Sequence, residues 1–165
     1  MAIRTIRTEG DEILRKESKK VEVIDEKITE LIQDMIETLH KYDGVGLAAV
    51  QVGILKQILI IQEAEDAPIL VIINPEIISQ SGTQVVEEGC LSFPNKFAKI
   101  ERPEKIKVRA LNEKGKKIEI TGKGLLAQAL SHEIDHLNGE VFIDKIIPGT
   151  LPTLILNLEA GETIM

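Results

Sequence analysis

Aromatic residues and cysteine are the scarcest parts of this sequence. Aromatic residues make up 2% of its 165 residues and tryptophan is absent, so Ile, Leu and Val must fill the core. The single cysteine, Cys90, cannot form a disulfide within the chain. Three roles are left for Cys90: packing, reaction as a free thiol, or metal ligation.

Long apolar runs and excess positive charge are also missing. The start, MAIRTIRTEGDEILRKESKK, lacks the apolar run of ~7–15 residues that a secretion signal needs, and no stretch reaches the ~20 apolar residues of a membrane span. The formal net charge is −7, which does not favour a polyanion-binding surface. Residues 96–123 are locally basic and are interpreted as a solvated hairpin face. We therefore expect a cytoplasmic protein with no membrane contact and no direct nucleic-acid specificity.

The length suits one compact domain over residues 1–165, because domains most often have ~100–150 residues. Apolar residues recur at helical spacing over residues 24–42, which predicts an N-terminal amphipathic helix. Asp25 is its expected N-cap and Gly44 its expected stop. The segment that follows, DGVGLAAVQVG, is too rich in small residues to predict a helix or a strand.

The middle of the chain is rich in short β-type runs. Turn-forming residues separate KQILIIQ, PILVIINPEIIS, TQVVEE, KFAKI, KIKVRAL and KKIEIT, and this spacing is typical of antiparallel hairpins. Helical spacing returns over residues 121–138, with Thr121 as the expected cap and Gly139 as the expected stop. The tail after this helix predicts a last strand or a short helix. The predicted fold class is α+β, with antiparallel β-sheets around a central helix that carries HEIDH.

That helix, in the sequence ALSHEIDHLNG, places two histidines four residues apart. Positions four apart share one helix face, so His132 and His136 can direct both imidazoles at one metal ion. Glu133 lies about 100° round the helix from His132, beside the ion, where a general base takes a proton from metal-bound water. Asp135 is expected to face solvent or to anchor an imidazole. The alternative is a solvent-facing polar helix, but its apolar neighbours favour burial, whose desolvation cost a metal would reduce.

Two imidazoles leave a third protein ligand to be found. A metzincin-like pattern fails because Phe142 stands where it needs histidine. A thermolysin-like arrangement would use Glu159. The other candidate is Cys90, because a thiolate and two imidazoles leave the fourth position of a divalent ion open for water. The alternative for Cys90 is an inert buried thiol.

Three separated segments coincide with one family. They are GVGLAAVQ at residues 44–51, EGCLS at residues 88–92 and HEIDH at residues 132–136. With these motifs, the chain resembles the peptide deformylases over roughly residues 3–147. The resemblance implies a hydrolase that removes the N-terminal formyl group from formyl-methionine of newly synthesised polypeptides and releases formate.

The resemblance also implies the parts of the active site. Cys90, His132 and His136 would hold the metal. A metal-bound water would attack the formyl carbon, with Glu133 as general acid and base. The side-chain amide of Gln51 and the backbone N–H of Leu91 would hydrogen-bond to the developing oxyanion.

Substrate contacts are expected around these groups. Gly44 and Gly46 would let the peptide backbone approach and pair with the enzyme, although turn geometry alone could also explain both glycines. An apolar pocket for the methionine side chain is expected near Leu125, Leu126 and Ile134. Behind the cysteine loop, Glu88 and Arg102 are expected to pair.

The family resemblance implies one divalent metal, with Fe²⁺ expected in the cell and Zn²⁺, Ni²⁺ or Co²⁺ able to use the same ligands. Its partners would be N-formyl-methionyl nascent peptides and, transiently, the ribosome. The tail lacks the long basic helix of some relatives, which puts docking through such a helix in question. Two other hypotheses remain: a zinc peptidase that uses His132, His136 and Glu159, and a metal-sensing module whose closed site needs a fourth protein ligand.

Overall fold

The computed structural model describes residues 2–148, 153–154 and 163–165. Within them, two α-helices are packed against two β-sheets, and short 3-10 turns connect some of these elements. The helices are α1 (Glu26–Tyr42) and α2 (Leu125–Leu137). The strands are β1 (Gly46–Ala48), β2 (Ile58–Ile61), β3 (Leu70–Ser81), β4 (Gln84–Cys90), β5 (Phe93–Arg102), β6 (Lys105–Leu111), β7 (Lys117–Lys123), β8 (Thr153–Leu154) and β9 (Thr163–Ile164).

The larger sheet has five antiparallel strands in the order β1-β2-β3-β6-β7. Its second strand, ILII, is buried along its whole length. Alternate side chains of a strand point to opposite faces: Leu59 and Ile61 join the core beneath α2, whereas Ile58 and Ile60 join the core beneath α1. The unbroken apolar run therefore reflects helices on both faces of this sheet.

The smaller sheet has the order β8-β5-β4-β9. Strands β4 and β5 form an antiparallel hairpin, whereas β9 pairs with β4 in the parallel direction. The register of the hairpin shifts between Gly89 and Cys90. Cys90 packs in a third apolar cluster with Phe93, Ile100 and Phe142. This third cluster therefore fixes the end of β4, where Cys90 lies.

The observed α+β class with antiparallel sheets confirms the fold class predicted from the sequence. The Asp25 side chain accepts a hydrogen bond from the backbone N–H of Ile28 at the start of α1. At the other end of α1, the left-handed residue is Asp43 rather than Gly44. No helix among the described residues is long and apolar enough to cross a membrane.

Two further local predictions were wrong. The second helix does not begin after Thr121, because this residue lies in β7 opposite Lys107 of β6; α2 starts at Leu125, after Gly124 with a φ of 57°. The small-residue segment after α1 forms β1 and a 3-10 turn over Ala49–Val52. Its tertiary partners explain this structure, because β1 pairs with the fully buried β2.

Candidate metal centre

Helix α2 brings both histidines to one buried place. It packs against β1 and β7, and this packing leaves His132 1% exposed and His136 fully buried. The four-residue spacing places the two Nε2 atoms 3.2 Å apart. Two ring nitrogens at this separation need either a shared proton or a shared cation between them.

Strand β4 brings the cysteine to the same place. Cys90 is its last residue and is 3% exposed, and its Sγ lies 3.4 Å from Nε2 of His136. One ligand atom from each of Cys90, His132 and His136 lies within 4.8 Å of the other two. A soft sulfur and two imidazoles are a ligand set that suits zinc, iron and neighbouring first-row metals.

A buried ion-pair network lies behind His132. The Nδ1 atom of His132 hydrogen-bonds to Oε1 of Glu88, so the opposite ring nitrogen faces Cys90 and His136. Arg102 donates to both oxygens of Glu88, at 3.0 and 2.6 Å, which confirms the predicted pair. The Arg102 side chain also donates to Asp135 at 2.7 Å. The expectation that Asp135 faces solvent or anchors an imidazole was therefore wrong.

The network sets the charges around the metal site. Burial alone would raise the pKa of Glu88, but His132 and Arg102 outweigh it and lower this pKa to about 2. Burial would lower the pKa of His132, but the Glu88 carboxylate raises it well above its usual value. The raised pKa means that both ring nitrogens of His132 hold a proton when no cation is bound. A cation at Nε2 would displace the proton on that nitrogen and leave the contact between Nδ1 and Glu88 in place. Burial lowers the pKa of His136, which favours its neutral, ligating form.

Glu133 is fully buried beside the ligand atoms. Its Oε2 lies 4.0 Å from Nε2 of His132, and neither of its carboxylate oxygens has a hydrogen-bond partner within the described part of the chain. Burial raises the pKa of Glu133 to about 7. A carboxyl group with free oxygens and a pKa near neutrality can both accept and release a proton.

Gln51 is held beside the cysteine by a 3-10 turn. Its side-chain oxygen accepts from the backbone N–H of Ala48 at 3.0 Å. The side-chain amide of Gln51 therefore points away from Ala48, towards Sγ of Cys90 at 3.6 Å and Oγ of Ser92 at 3.0 Å. Ser92 was not among the predicted site residues; its place two residues after the cysteine in EGCLS was the available signal.

Comparison with known proteins identifies the family. The family model described as polypeptide deformylase matches residues 3–150. A peptide deformylase from Alkaliphilus metalliredigens is 56% identical over 147 residues, which cover 89% of this chain and 99% of that relative. The chain belongs to the polypeptide deformylase family. Membership confirms the resemblance noted in the sequence and the prediction of a peptide deformylase enzyme.

Solved deformylase structures share the fold. The structure from Legionella pneumophila superposes with a TM-score of 0.86 at 47% identity, covering 88% of this chain and 87% of that one. The structure from Thermotoga maritima gives 0.85 at 45% identity, covering 88% and 99%. A deformylase from Ehrlichia chaffeensis in complex with actinonin gives 0.85 at 42% identity, covering 90% and 91%.

Three other residues predicted for the site, Gly44, Gly46 and Leu91, lie close to these groups. A Cβ at Gly46 would lie 2.7 Å from Oε2 of Glu133, so Gly46 lets β1 approach the carboxylate. A Cβ at Gly44 would meet the Leu91 side chain at 2.8 Å. The backbone N–H of Leu91 donates to the backbone oxygen of Met165 at 2.8 Å. This contact was not predicted, because no sequence pattern near Met165 indicates pairing with β4.

Glu159, the third ligand in the peptidase hypothesis, lies outside the described residues.

Proposed function

We propose that this chain removes the formyl group from N-formyl-methionyl nascent peptides, and that residues 1–165 form one catalytic domain in the cytoplasm. One observation carries the proposal. In a chain of the deformylase family, the Sγ of Cys90 and the Nε2 atoms of His132 and His136 converge. Beside them lies the Glu133 carboxylate, whose oxygens have no hydrogen-bond partner among the described residues.

The three converging residues fit a divalent metal ion. Each directs one ligand atom to the same small volume, and His132 is oriented by its hydrogen bond to Glu88, a support typical of metal-ligating histidines. We propose Fe²⁺ in the cell, with Zn²⁺, Ni²⁺ and Co²⁺ as alternatives for the same donors. When bound, the ion would acidify a water molecule and polarise the formyl carbonyl.

Glu133 would move the proton that the reaction requires. It accepts a proton from the attacking water while the hydroxyl oxygen bonds to the formyl carbon. When the carbon–nitrogen bond breaks, Glu133 delivers this proton to the leaving α-amino nitrogen. The products are formate and a free methionine amino terminus. Neither Glu133 oxygen has a hydrogen-bond partner among the described residues, which supports this role because both oxygens are free to hold the transferred proton.

Gln51 and Leu91 would stabilise the oxyanion of the tetrahedral intermediate. The Gln51 amide is fixed by Ala48 and lies within reach of Cys90, so it needs little reorganisation. Loss of one such donor typically costs about 2.7–4 kcal/mol in the transition state. Gly44 and Gly46 would leave room for the substrate backbone along β1. We also propose transient contact with the ribosome, where formylated peptides emerge.

The alternative functions have less support. In a metal-sensing module, a fourth protein ligand should close the site. Among the described residues, the converging group contains only Cys90, His132 and His136, and the ring of His40 instead pairs with Gln62. A peptidase that uses Glu159 does not require Cys90 as a ligand, so Cys90→Ala should retain its metal under that hypothesis and lose it under ours.

The direct test is formate release from formyl-Met-Ala-Ser, measured anaerobically with the Fe²⁺ content of each sample. We expect Glu133→Gln to keep its iron and to lose at least 100-fold in kcat/KM, the lower range for general acid–base catalysis of about 10²–10⁴. Glu140→Gln, which changes a charge on an exposed residue, is the control and should match the parent chain. Normal turnover by an iron-loaded Glu133→Gln variant would remove Glu133 from the mechanism.

A further inference from the structure

A short segment of the chain itself lies between the end of β4 and the residues that precede β1, which border the cleft proposed for the substrate backbone. Strand β9 runs parallel to β4, where the N–H of Met165 donates to the oxygen of Gly89 at 3.0 Å and the N–H of Leu91 donates to the oxygen of Met165 at 2.8 Å. On the side of this segment away from β4, the backbone N–H of Val45 donates to the backbone oxygen of Ile164 at 3.0 Å. Residues 163–165 therefore bridge β4 and the segment before β1.

The side chain at the inner end of this segment is a methionine. Met165 is fully buried and belongs to the apolar cluster that includes Leu130 and Ile134 of α2, with Leu125 and Leu126 at its edge. These α2 residues include those expected to line the methionine pocket. The same helix carries the metal-ligating histidines, so Met165 packs against the element that forms the site.

We propose that residues 163–165 act as an intramolecular competitor, with Met165 in the pocket that receives the substrate methionine. This inference rests on the proposed function, because it names the same cleft. The Leu91 N–H that would bind the oxyanion is already used by Met165. A substrate must therefore displace the segment. The family model matches residues 3–150, so residues 163–165 lie outside the part of the chain that it matches.

Competition within one chain has a defined kinetic signature. Only molecules with the cleft open can bind substrate, so the apparent KM rises in proportion to the inverse of the open fraction. The rate after binding does not change, because the segment has left before the chemical step. Weakening the segment should therefore lower KM and leave kcat unchanged. A segment that only supports the fold would not separate the two constants.

The test compares Met165→Gln with Met165→Leu in the full chain. Glutamine matches methionine in length but leaves a polar amide without a partner in an apolar pocket, whereas leucine keeps the apolar contact. Val23→Gln, at a side chain that is 68% exposed, is the control for the polar change. We expect Met165→Gln to lower KM for formyl-Met-Ala-Ser about tenfold at constant kcat, with Met165→Leu and Val23→Gln close to the parent chain.

Amide hydrogen exchange by NMR gives a readout that does not depend on activity. The amides of Val45 and Leu91 should exchange about tenfold faster in Met165→Gln, whereas the amide of Ile60 in β2 should not change. Unchanged exchange at Val45 and Leu91, or an unchanged KM in an active enzyme, would overturn the inference. If no form releases formate, the proposed function fails, and faster exchange at these two amides would still support displacement of the segment.

Discussion

The buried Arg102 should be among the residues whose loss destabilises the chain most. Arg102 is 2% exposed and Glu88 is fully buried, and the guanidinium also donates to Asp135 at 2.7 Å. Replacing Arg102 by Met keeps the apolar stem but leaves Glu88 short of two hydrogen bonds. Breaking a buried pair in this way typically costs about 3–5 kcal/mol. His132 still contacts Glu88, so we expect a loss of about 3 kcal/mol in the free energy of unfolding.

The assay is urea unfolding of Arg102→Met and the parent chain at matched metal loading, with the melting temperature as a second measure. For a chain of this size, 3 kcal/mol corresponds to a fall of roughly 6–12 °C. Arg109→Met is the control, because Arg109 is exposed and lies 3.8 Å from Glu119; it should cost under about 1 kcal/mol. If Arg102→Met were as stable as Arg109→Met, the buried ion-pair network would not stabilise the site.

Three further substitutions test other parts of the structure. Gly46→Ala places a Cβ 2.7 Å from Oε2 of Glu133 and should lower kcat at least tenfold in the formate-release assay. Gly139→Ala places a Cβ 2.5 Å from the backbone oxygen of Arg15 at a φ of +75° and should lower the free energy of unfolding by about 2 kcal/mol or more. Asp34→Asn should cost about 1–2 kcal/mol at neutral pH, with a smaller difference at acid pH.

The pH dependence follows from the contacts of Asp34. Burial would raise its pKa, but hydrogen bonds from the N–H of Ala2 and from Arg4 lower it below the usual value. A carboxyl group with a depressed folded-state pKa adds stability above its unfolded pKa and loses it as the pH falls through the folded value. The difference between Asp34→Asn and the parent chain should therefore shrink below about pH 4. A difference that stays constant from pH 7 to pH 3 would contradict this assignment.

The glycine substitutions have matched controls. Gly44→Ala meets the apolar side chains of Leu91 and Leu39, so its effect on kcat should be smaller than that of Gly46→Ala. Gly10→Ala has a φ of +94° with nothing near its Cβ, so it tests backbone strain without the clash of Gly139→Ala. Equal losses within either pair would show that the close contacts do not cause the effects.

Local patterns were enough to predict much of the fold. The apolar spacing before Tyr42 and the alternating runs between turns reflect contacts that each element makes along one face, so periodicity reveals them. The start of α2 was not predictable in this way. Thr121 belongs to β7 because it pairs with Lys107 of β6. The pairing of β6 with β7 outweighs the local preference of threonine for a helix N-cap.

The site residues likewise include some that local sequence patterns predict and some that depend on distant contacts. The spacing of His132 and His136 is local and indicates a shared helix face, and the family motifs supply Cys90. The partner of Asp135 is Arg102, which lies 33 residues away in a segment whose many lysines suggested a solvated face. The contact of Met165 with Leu91 depends on tertiary pairing with β4, which no pattern near Met165 indicates.

The most direct test of the central claim is X-ray absorption spectroscopy of the zinc-loaded chain. One sulfur at about 2.3 Å and two imidazole nitrogens at about 2.0–2.1 Å from the metal are predicted, and Cys90→Ala should no longer retain the zinc. A parent spectrum with nitrogen and oxygen neighbours but no sulfur would contradict the proposed ligation by Cys90, His132 and His136.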